Sequence, residues 1–545
     1  MEGSVRIALI VLMMIALGEL LLPAMPSQDH STPVAIAGAW SGWMNVAGNY
    51  QPIRASFSPE KTPPGVVTNL MTGLSLPLRA VNVDGNNVRV EWVDARPPVL
   101  TGTVDRSSIT GTAQASGGRT GTFRLLRTAA MDEAALARYV GAYRFADGRF
   151  LLVDMGYPPG SGVLYAIDPQ DGQTRAMYPQ SSTEFNSGPA LLVPEPTEQT
   201  LSFTMRGDRI VGVVRRLVGG PAERASRVEL NAEEVRFRNG DVTLAGTLVL
   251  PARRGRHPGL VFAHGGGATT REQYWGFGYL MAARGFAVLA FDKRGTGEST
   301  GQWRTATFED LADDVIAGAR FLQSRSDVDA RRVGYWGLSQ GAWVAPLAAV
   351  RSGDAAFVIT MSGGGLTPAQ GELFDSEYQM RTAGLSEPDV QDGLTFQRTK
   401  NEYLRTGLGW DEYAAMLKQA TGRPWWRLPG TDLSGPATPD DAYWANNRSS
   451  YFYDPAPTLH RLRAPMLAIL GELDSPDGVK ANVVGIRTAL EGAHHPDFAI
   501  RVFANGRHNL MDLGGFPPTE YPRLKRFVPG LFETMASWAE SRVKH

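Results

Sequence analysis

Three residue types in this chain could together move an acyl group: a serine, a histidine and a carboxylate. Ser339 stands between glycines in Gly337-Leu338-Ser339-Gln340-Gly341, with the strand-like GYW before it and the helix-like GAWVAPLAAV after it. A serine hydroxyl is a weak nucleophile until a base accepts its proton, and neutral imidazole does so near pH 7. A carboxylate then fixes the imidazole tautomer and stabilises the imidazolium that forms. Asp474 ends the apolar run PMLAILGELD, and His508 follows the strand-like FAIRVF. The rival acids are Glu472, which comes early enough to belong to the strand end, and Asp477. The latter suits the first turn of a helix beginning at Ser475-Pro476, where negative charge is favoured. The rival bases His494 and His495 precede the last strand, in the turn after a helix, and read as solvated.

The elements that must position these residues begin near Val228. GLVFAHGGG is a continuous apolar strand ending in glycines, YWGFGYLMAARG a helix and FAVLAFD a strand. TFEDLADDVIAGARFLQSR is an amphipathic helix with Phe308, Leu311, Val315, Ala319 and Leu322 on one face. RRVGYWGL, the helix after Ser339 and AAFVITMSG continue the alternation. Strands that are apolar throughout and alternate with helices predict a mostly parallel, doubly wound sheet covered on both faces. The ligand site of such a sheet lies beyond the carboxyl ends of its strands.

Residues 228–545 resemble the α/β-hydrolase superfamily, and the Gly337–Gly341 segment resembles its nucleophile elbow in the required strand–turn–helix setting. The resemblance implies a catalytic triad in the order Ser339, Asp474, His508. It also implies an oxyanion hole made by the N–H of Gln340 and one from the loop His264-Gly265-Gly266-Gly267, with Gly266 preferred and Gly265 the alternative. His264 lies upstream of the serine, where this superfamily does not place its base. FDKRGTGEST, residues 291–300, matches a loop seen in bacterial members. There Asp292 and Arg294 read as a structural ion pair that fixes the loop. About a hundred residues separate AAFVITMSG from PMLAILG, which implies a lid insertion over 366–460. Ser386-Glu387-Pro388-Asp389 reads as a helix start and GWDEYAAMLKQATG as a further helix. The segment is rich in aromatics (Trp410, Trp425, Trp426, Trp444, Tyr451, Tyr453), which read either as a wall over the serine or as packing of the lid itself.

Upstream, residues 38–127 and 135–225 are two β-rich domains of short alternating strands, of barrel or sandwich type, without a shared repeat. MDEAALARYV is a helical linker between them, and Pro221-Ala222-Glu223 reads as the linker out. Trp40 and Trp43 read as packing. At the start, Arg6 and the apolar run Ile7–Gly18 followed by Glu19 fit a secretory signal over residues 1–30, the run being too short to span a bilayer unaided. An anchor extended to Met25 is the alternative, and Ala35-Ile36-Ala37 has the form of a cleavage site. The chain is therefore expected to be exported, periplasmic or extracellular, with no stable transmembrane domain once the signal is removed.

Composition narrows the function. The 545 residues carry 54 basic and 55 acidic side chains, net charge −1, which gives no electrostatic footprint for nucleic acid. With no cysteine there is neither a disulfide nor a thiolate site. No metal cluster or nucleotide motif stands out, so no cofactor is expected. The leading expectation is a serine hydrolase that cleaves carboxylic esters or thioesters through an acyl-enzyme on Ser339. The alternative is a serine peptidase resembling prolyl-oligopeptidase-like or aminopeptidase-like enzymes, with Glu372, Asp375 and Glu377 available to hold a substrate amine. Against it, neither β-rich domain shows the blade repeat of a propeller.

Overall fold

The computed structural model describes residues 35–544 apart from 95–96, 156–161, 427, 429–434 and 517. The expected signal segment, residues 1–30, lies outside them. Ile36, however, is 4% exposed in the core of the first β domain, and its carbonyl accepts from Trp40 Nε1 at 2.9 Å. Cleavage after Ala37 would strip that side chain from the core, which disfavours Ala35-Ile36-Ala37 as the cleavage site.

Both β-rich domains are closed eight-stranded barrels. In the first, the strand Gly38–Val46 pairs with both Asn49–Phe57 and Thr120–Thr128, closing the meander. Trp40 is fully buried in its core and Trp43 stacks on Tyr50. A one-turn helix, Glu133–Ala137, capped by Asp132, leads to the second barrel. That barrel closes where Ala225–Arg227 pairs with Tyr143–Phe145. Pro221-Ala222-Glu223 is thus no linker, because Ala222 and Glu223 open the closing strand Ala222–Arg227. The two barrels share a plan without a shared sequence. Pleating asks only that inward positions be apolar, not that they be the same residues.

The third unit is the expected α/β-hydrolase sheet. Its eight strands are β1 (Leu230–Asn239), β2 (Val242–Pro251), β3 (His257–Ala263), β4 (Ala287–Phe291), β5 (Val328–Leu338), β6 (Val358–Met361), β7 (Met466–Gly471) and β8 (Phe498–Phe503). They lie in the order β1-β2-β4-β3-β5-β6-β7-β8. Only β2 runs against the rest, being antiparallel to both β1 and β4. The central strands β3, β4, β6 and β7 are almost wholly buried, as their apolar runs require, and β5 is buried from Val333 to Gly337. One face is covered by α2 (Phe308–Gln323), α3 (Gly341–Ser352) and α9 (Pro476–Gly492), the other by α1 (Trp275–Ala283) and α10 (Leu531–Val543). Between β6 and β7 lie α4 (Pro368–Thr382), α5 (Glu387–Thr406), α6 (Trp410–Ala420), α7 (Ala442–Tyr451) and α8 (Ala456–Arg461). Ser386 caps α5 as its sequence implied. Among the described residues no helix is long and apolar enough to cross a membrane.

One seam ties the second barrel to the segment that follows β8. Thr174 N donates to Lys525 O at 2.9 Å, Leu191 N to Leu524 O at 2.7 Å, Leu192 N to Pro522 O at 2.9 Å and Phe527 N to Gly172 O at 2.9 Å. Val528 N then reaches back to Leu510 O at 2.8 Å, two residues beyond His508. The barrel therefore braces the loop on which the histidine sits.

Candidate active site

Ser339 sits where β5 turns into α3, with φ +54°, a left-handed conformation that a non-glycine residue adopts only when its surroundings enforce it. Its N–H donates to Met361 O at 2.8 Å. The flanking glycines are a steric requirement. A Cβ on Gly337 would lie 2.0 Å from Gly341 O, and one on Gly341 would lie 2.5 Å from Ala263 O. The tight turn thus lifts the serine above the sheet's carboxyl edge.

Asp474 and His508 come from the loops after β7 and β8, and His508 Nδ1 lies 2.8 Å from Asp474 Oδ2. With the proton on Nδ1, Nε2 is left as an acceptor. Ser362, at the end of β6, donates its hydroxyl to the His508 carbonyl and so holds the loop from the side. Burial lowers the basicity of His508. The Asp474 charge and hydrogen bond, aided by Asp375, outweigh that and leave it above the ordinary imidazole value. Ser339, Asp474 and His508 all line one cavity of about 480 Å³. Its apolar wall includes Phe308, Trp343, Leu366, Leu470 and Val479.

The remaining expected residues fall into two groups. Among the described residues, neither the Gly266 N–H nor the Gln340 N–H has a protein acceptor, and a Cβ on Gly266 would meet nothing within 4 Å. Gly265 is corrected: its N–H already donates to Tyr274 Oη at 2.8 Å and is not a spare donor. His264 is buried, bonds the Phe291 carbonyl through Nε2, and is pulled down to about 4 by burial, so it is a neutral packing residue. Glu472 accepts from Asn505 N, and Asp477 pairs with Lys480 at the exposed start of α9. His494 lies in the turn after α9 with φ +51°. His495 is not solvated as expected. It is 7% exposed, with Nε2 against the Ala464 carbonyl and Nδ1 accepting from Asp497 N, because the turn folds it under β7.

One further expectation changes. Asp292 and Arg294 do not pair with each other. Asp292 takes the Arg271 guanidinium at 2.7 Å, and Arg294 takes Asp314 at 2.7 Å, each cation reaching a different element. Of the two readings open for the aromatics between β6 and β7, packing holds for Trp410, Trp425, Trp426, Trp444 and Tyr451, whereas Tyr453 meets Phe308 at 5.3 Å. Trp425 packs on Phe396 at 5.3 Å and donates to Asp392, Tyr403 stacks on Tyr413 at 5.7 Å, and Trp444 meets Tyr451 edge-on. The helices between β6 and β7 need a core of their own, and these residues fill it. The aromatic wall comes instead from Phe308 and Trp343, whose rings stack 6.1 Å apart.

Among the described residues between β6 and β7, α4 and the turn into it are what line the cavity. Glu372, Asp375 and Gln379 line the cavity at helical spacing, while Glu377 points elsewhere and pairs with Arg381 at 2.9 Å. Glu372 receives the Tyr451 hydroxyl and lies 3.7 Å from the buried Lys400 ammonium. Asp375 is raised to about 6 by burial, with Gln379 donating to it at 3.3 Å. Sequence reasoning also missed Arg507, which lines the cavity beside His508 and whose Nε is buried without a partner among the described residues. The 3–4 spacing in α4 was a usable signal; nothing local marked Arg507 or Ser362. Among the described residues no three His, Asp or Glu side chains converge as a metal site.

Residues 218–508 match the X-Pro dipeptidyl-peptidase (S15 family) profile, which covers just over half of the chain. The quorum-quenching protein AidA of Acinetobacter baumannii is 34% identical over 109 residues, 20% of this chain and 36% of that protein. An uncharacterised protein of Pseudomonas aeruginosa is 37% identical over 100 residues, 18% of this chain and 27% of that protein. The chain thus spans about a third of the length of these curated relatives. Among solved structures, a hypothetical protein from P. aeruginosa is 22% identical with a TM-score of 0.36, over 58% of this chain and 94% of that one. A proline iminopeptidase from Mycobacterium smegmatis is 16% identical with a TM-score of 0.35, over 57% and 98% respectively.

Proposed function

We propose that this chain, which belongs to the X-Pro dipeptidyl-peptidase (S15) family, is a serine hydrolase that cleaves carboxylic esters, thioesters included. The observation that carries this reading is the elbow serine sharing one cavity with a hydrogen-bonded His508–Asp474 pair. Ser339 Oγ attacks the acyl carbon while His508 Nε2 takes its proton, and Asp474 stabilises the imidazolium. The N–H groups of Gly266 and Gln340 receive the oxyanion. The tetrahedral adduct then expels the alkoxide, which leaves with the proton from His508. Water, deprotonated by the same imidazole, releases the acid from Ser339.

The ester preference is supported by the state of the lid carboxylates. Glu372 and Glu377 already have cationic neighbours, and Arg507 beside the histidine repels an ammonium. The second reading, a peptidase that holds a free substrate amine, is favoured by one observation: Asp375 presents a buried carboxyl to the cavity. Neutral p-nitrophenyl acyl esters and aminoacyl p-nitroanilides, assayed side by side, separate the two. Faster turnover of the anilides would move the assignment to the peptidase.

We also propose export through the N-terminal segment, supported by the apolar run Ile7–Gly18. Fractionation of expressing cells tests it, and full-length protein retained in the cytosol would overturn it.

A further inference from the structure

The chemistry just proposed leaves one buried cation without a role. Lys293 follows Asp292 at the end of β4 and is 1% exposed. Its ammonium donates to Gly265 O at 3.0 Å, Gly267 O at 3.1 Å and Gln340 Oε1 at 2.6 Å. An ammonium has three donors, so three acceptors use it completely. All three belong to the two segments that carry the candidate oxyanion donors. The Gly265 carbonyl and the Gly266 N–H are the two ends of one peptide group. In a planar trans peptide they point in opposite directions, so fixing one aims the other. The Gln340 side chain belongs to the residue whose N–H is the second donor.

We propose that Lys293 is a positioning residue of the oxyanion hole, gripping the Gly265 carbonyl and the Gln340 side chain so that both N–H groups converge on the acyl oxygen. The proposal rests on the serine-hydrolase reading. Its consequence is a second titration. Burial, opposed by the Asp314 charge, brings the Lys293 ammonium down to about 7. A neutral amine has two donors and a lone pair, which would face one of the three carbonyl-type oxygens. The charged neighbours do not replace the lost proton. Asp292 is committed to Arg271, Asp314 to Arg294, and His264 is neutral. Against Lys293 itself lies the Trp303 ring, at 5.8 Å.

The test is the pH dependence of ester turnover in the full chain and in three variants, with Ser339→Ala as control. Wild type should show kcat falling on the alkaline side, with a limb at or above about 7. Lys293→Met should lower kcat about 100-fold, the scale of losing one oxyanion donor, with KM changed less than about threefold and the alkaline limb gone. Lys293→Arg, which stays charged, should also lose the limb. Gln340→Met keeps the backbone N–H but not the grip. It should lower kcat about tenfold at constant KM, and it decides the matter if Lys293→Met does not fold. A flat wild-type profile to pH 9, an unchanged limb in Lys293→Arg, or folded Lys293→Met with kcat within threefold of wild type would each overturn the proposal. Full turnover by Ser339→Ala would instead sink the hydrolase reading, whatever Lys293 does.

Discussion

Two groups of charged and polar side chains sit at neighbouring edges of the same sheet, and they differ in one respect. Behind β4, Arg271 and Arg294 are closed: Asp292 receives Nε, Nη2 and the backbone N–H of Arg271, and Asp314 takes Arg294 through both of its oxygens. At the ends of β5, β7 and β8, Asp474 satisfies one nitrogen of His508 and leaves the other open. Ser339 and Gln340 line the cavity that it faces. The composition of the two clusters is similar. A closed ion pair fixes a loop; an unfilled hydrogen-bonding valence facing a cavity is available for chemistry. Lys293 lies between the two clusters and connects them.

The contrast breaks first at the open cluster. Ser339→Ala should lower kcat by about 10⁶ with a melting temperature near wild type, since the loss is one hydroxyl on a half-buried residue that lines the cavity. Labelling by a fluorophosphonate should vanish with it; retained labelling would move the nucleophile elsewhere. Asp474→Asn should cost about 10⁴ in kcat by presenting the wrong imidazole tautomer, again with little change in stability. The closed cluster should respond in the opposite way. Arg294→Met leaves Asp314 charged and buried, which typically costs about 3 to 5 kcal/mol of stability. Activity per folded molecule should stay within about threefold, a barrier change of less than about 1 kcal/mol. A large kcat loss at unchanged stability would erase the distinction between the clusters.

How much of this was legible in sequence follows the same division. Ser339, Asp474 and His508 could be named because their constraints are local: an elbow needs glycines two residues away, and an acid or base needs a strand end. The amphipathic face of α2 was legible for the same reason, and all five of its named residues are buried. The closed pairs were not. Arg271 finds Asp292 twenty-one residues away and Lys293 finds Gln340 forty-seven away, so adjacency in FDKRGTGEST suggested the wrong partner for Asp292. The aromatics between β6 and β7 stayed open for a different reason. Sequence shows that they will be buried but not which side of a helical layer they face. In the barrels, alternation revealed strands, whereas closure depends on pairing first with last.

The seam between the second barrel and the 522–528 segment extends the comparison to a region without chemistry of its own. Gly172 has φ +77°, and a Cβ there would lie 2.2 Å from Phe527 O. Gly172→Ala should therefore part the barrel from the segment that braces His508, at a cost of about 1 to 3 kcal/mol in stability. We expect kcat to fall by about tenfold with KM nearly constant, because the histidine loses its brace while the cavity keeps its wall. Hydrogen exchange should rise at residues 522–528. An unaltered kcat alongside raised exchange there would show that the barrel is a passenger.

The smallest expected effect concerns Asp375, a carboxyl of α4 whose state bears on the open cluster. Its charge is among the influences that raise His508, and burial raises Asp375 itself to about 6. Asp375→Asn removes that charge while keeping the shape. The imidazolium loses a stabilising neighbour, so the pKa of His508 must fall, and the acid limb of kcat/KM must move to lower pH. Ester turnover at pH 8 should stay within about tenfold, or about 1.4 kcal/mol. A substrate amine held by Asp375 behaves differently. Its binding would strengthen as pH rises through about 6, where the carboxyl ionises, and would lose about 1.5 to 3 kcal/mol in the variant, the worth of a charged hydrogen bond. A downward shift of the acid limb with esters unharmed fits an ester hydrolase in which the α4 carboxyl tunes the base. A loss confined to aminoacyl anilides would instead make Asp375 the amine anchor of a peptidase, and the open cluster would then extend onto α4.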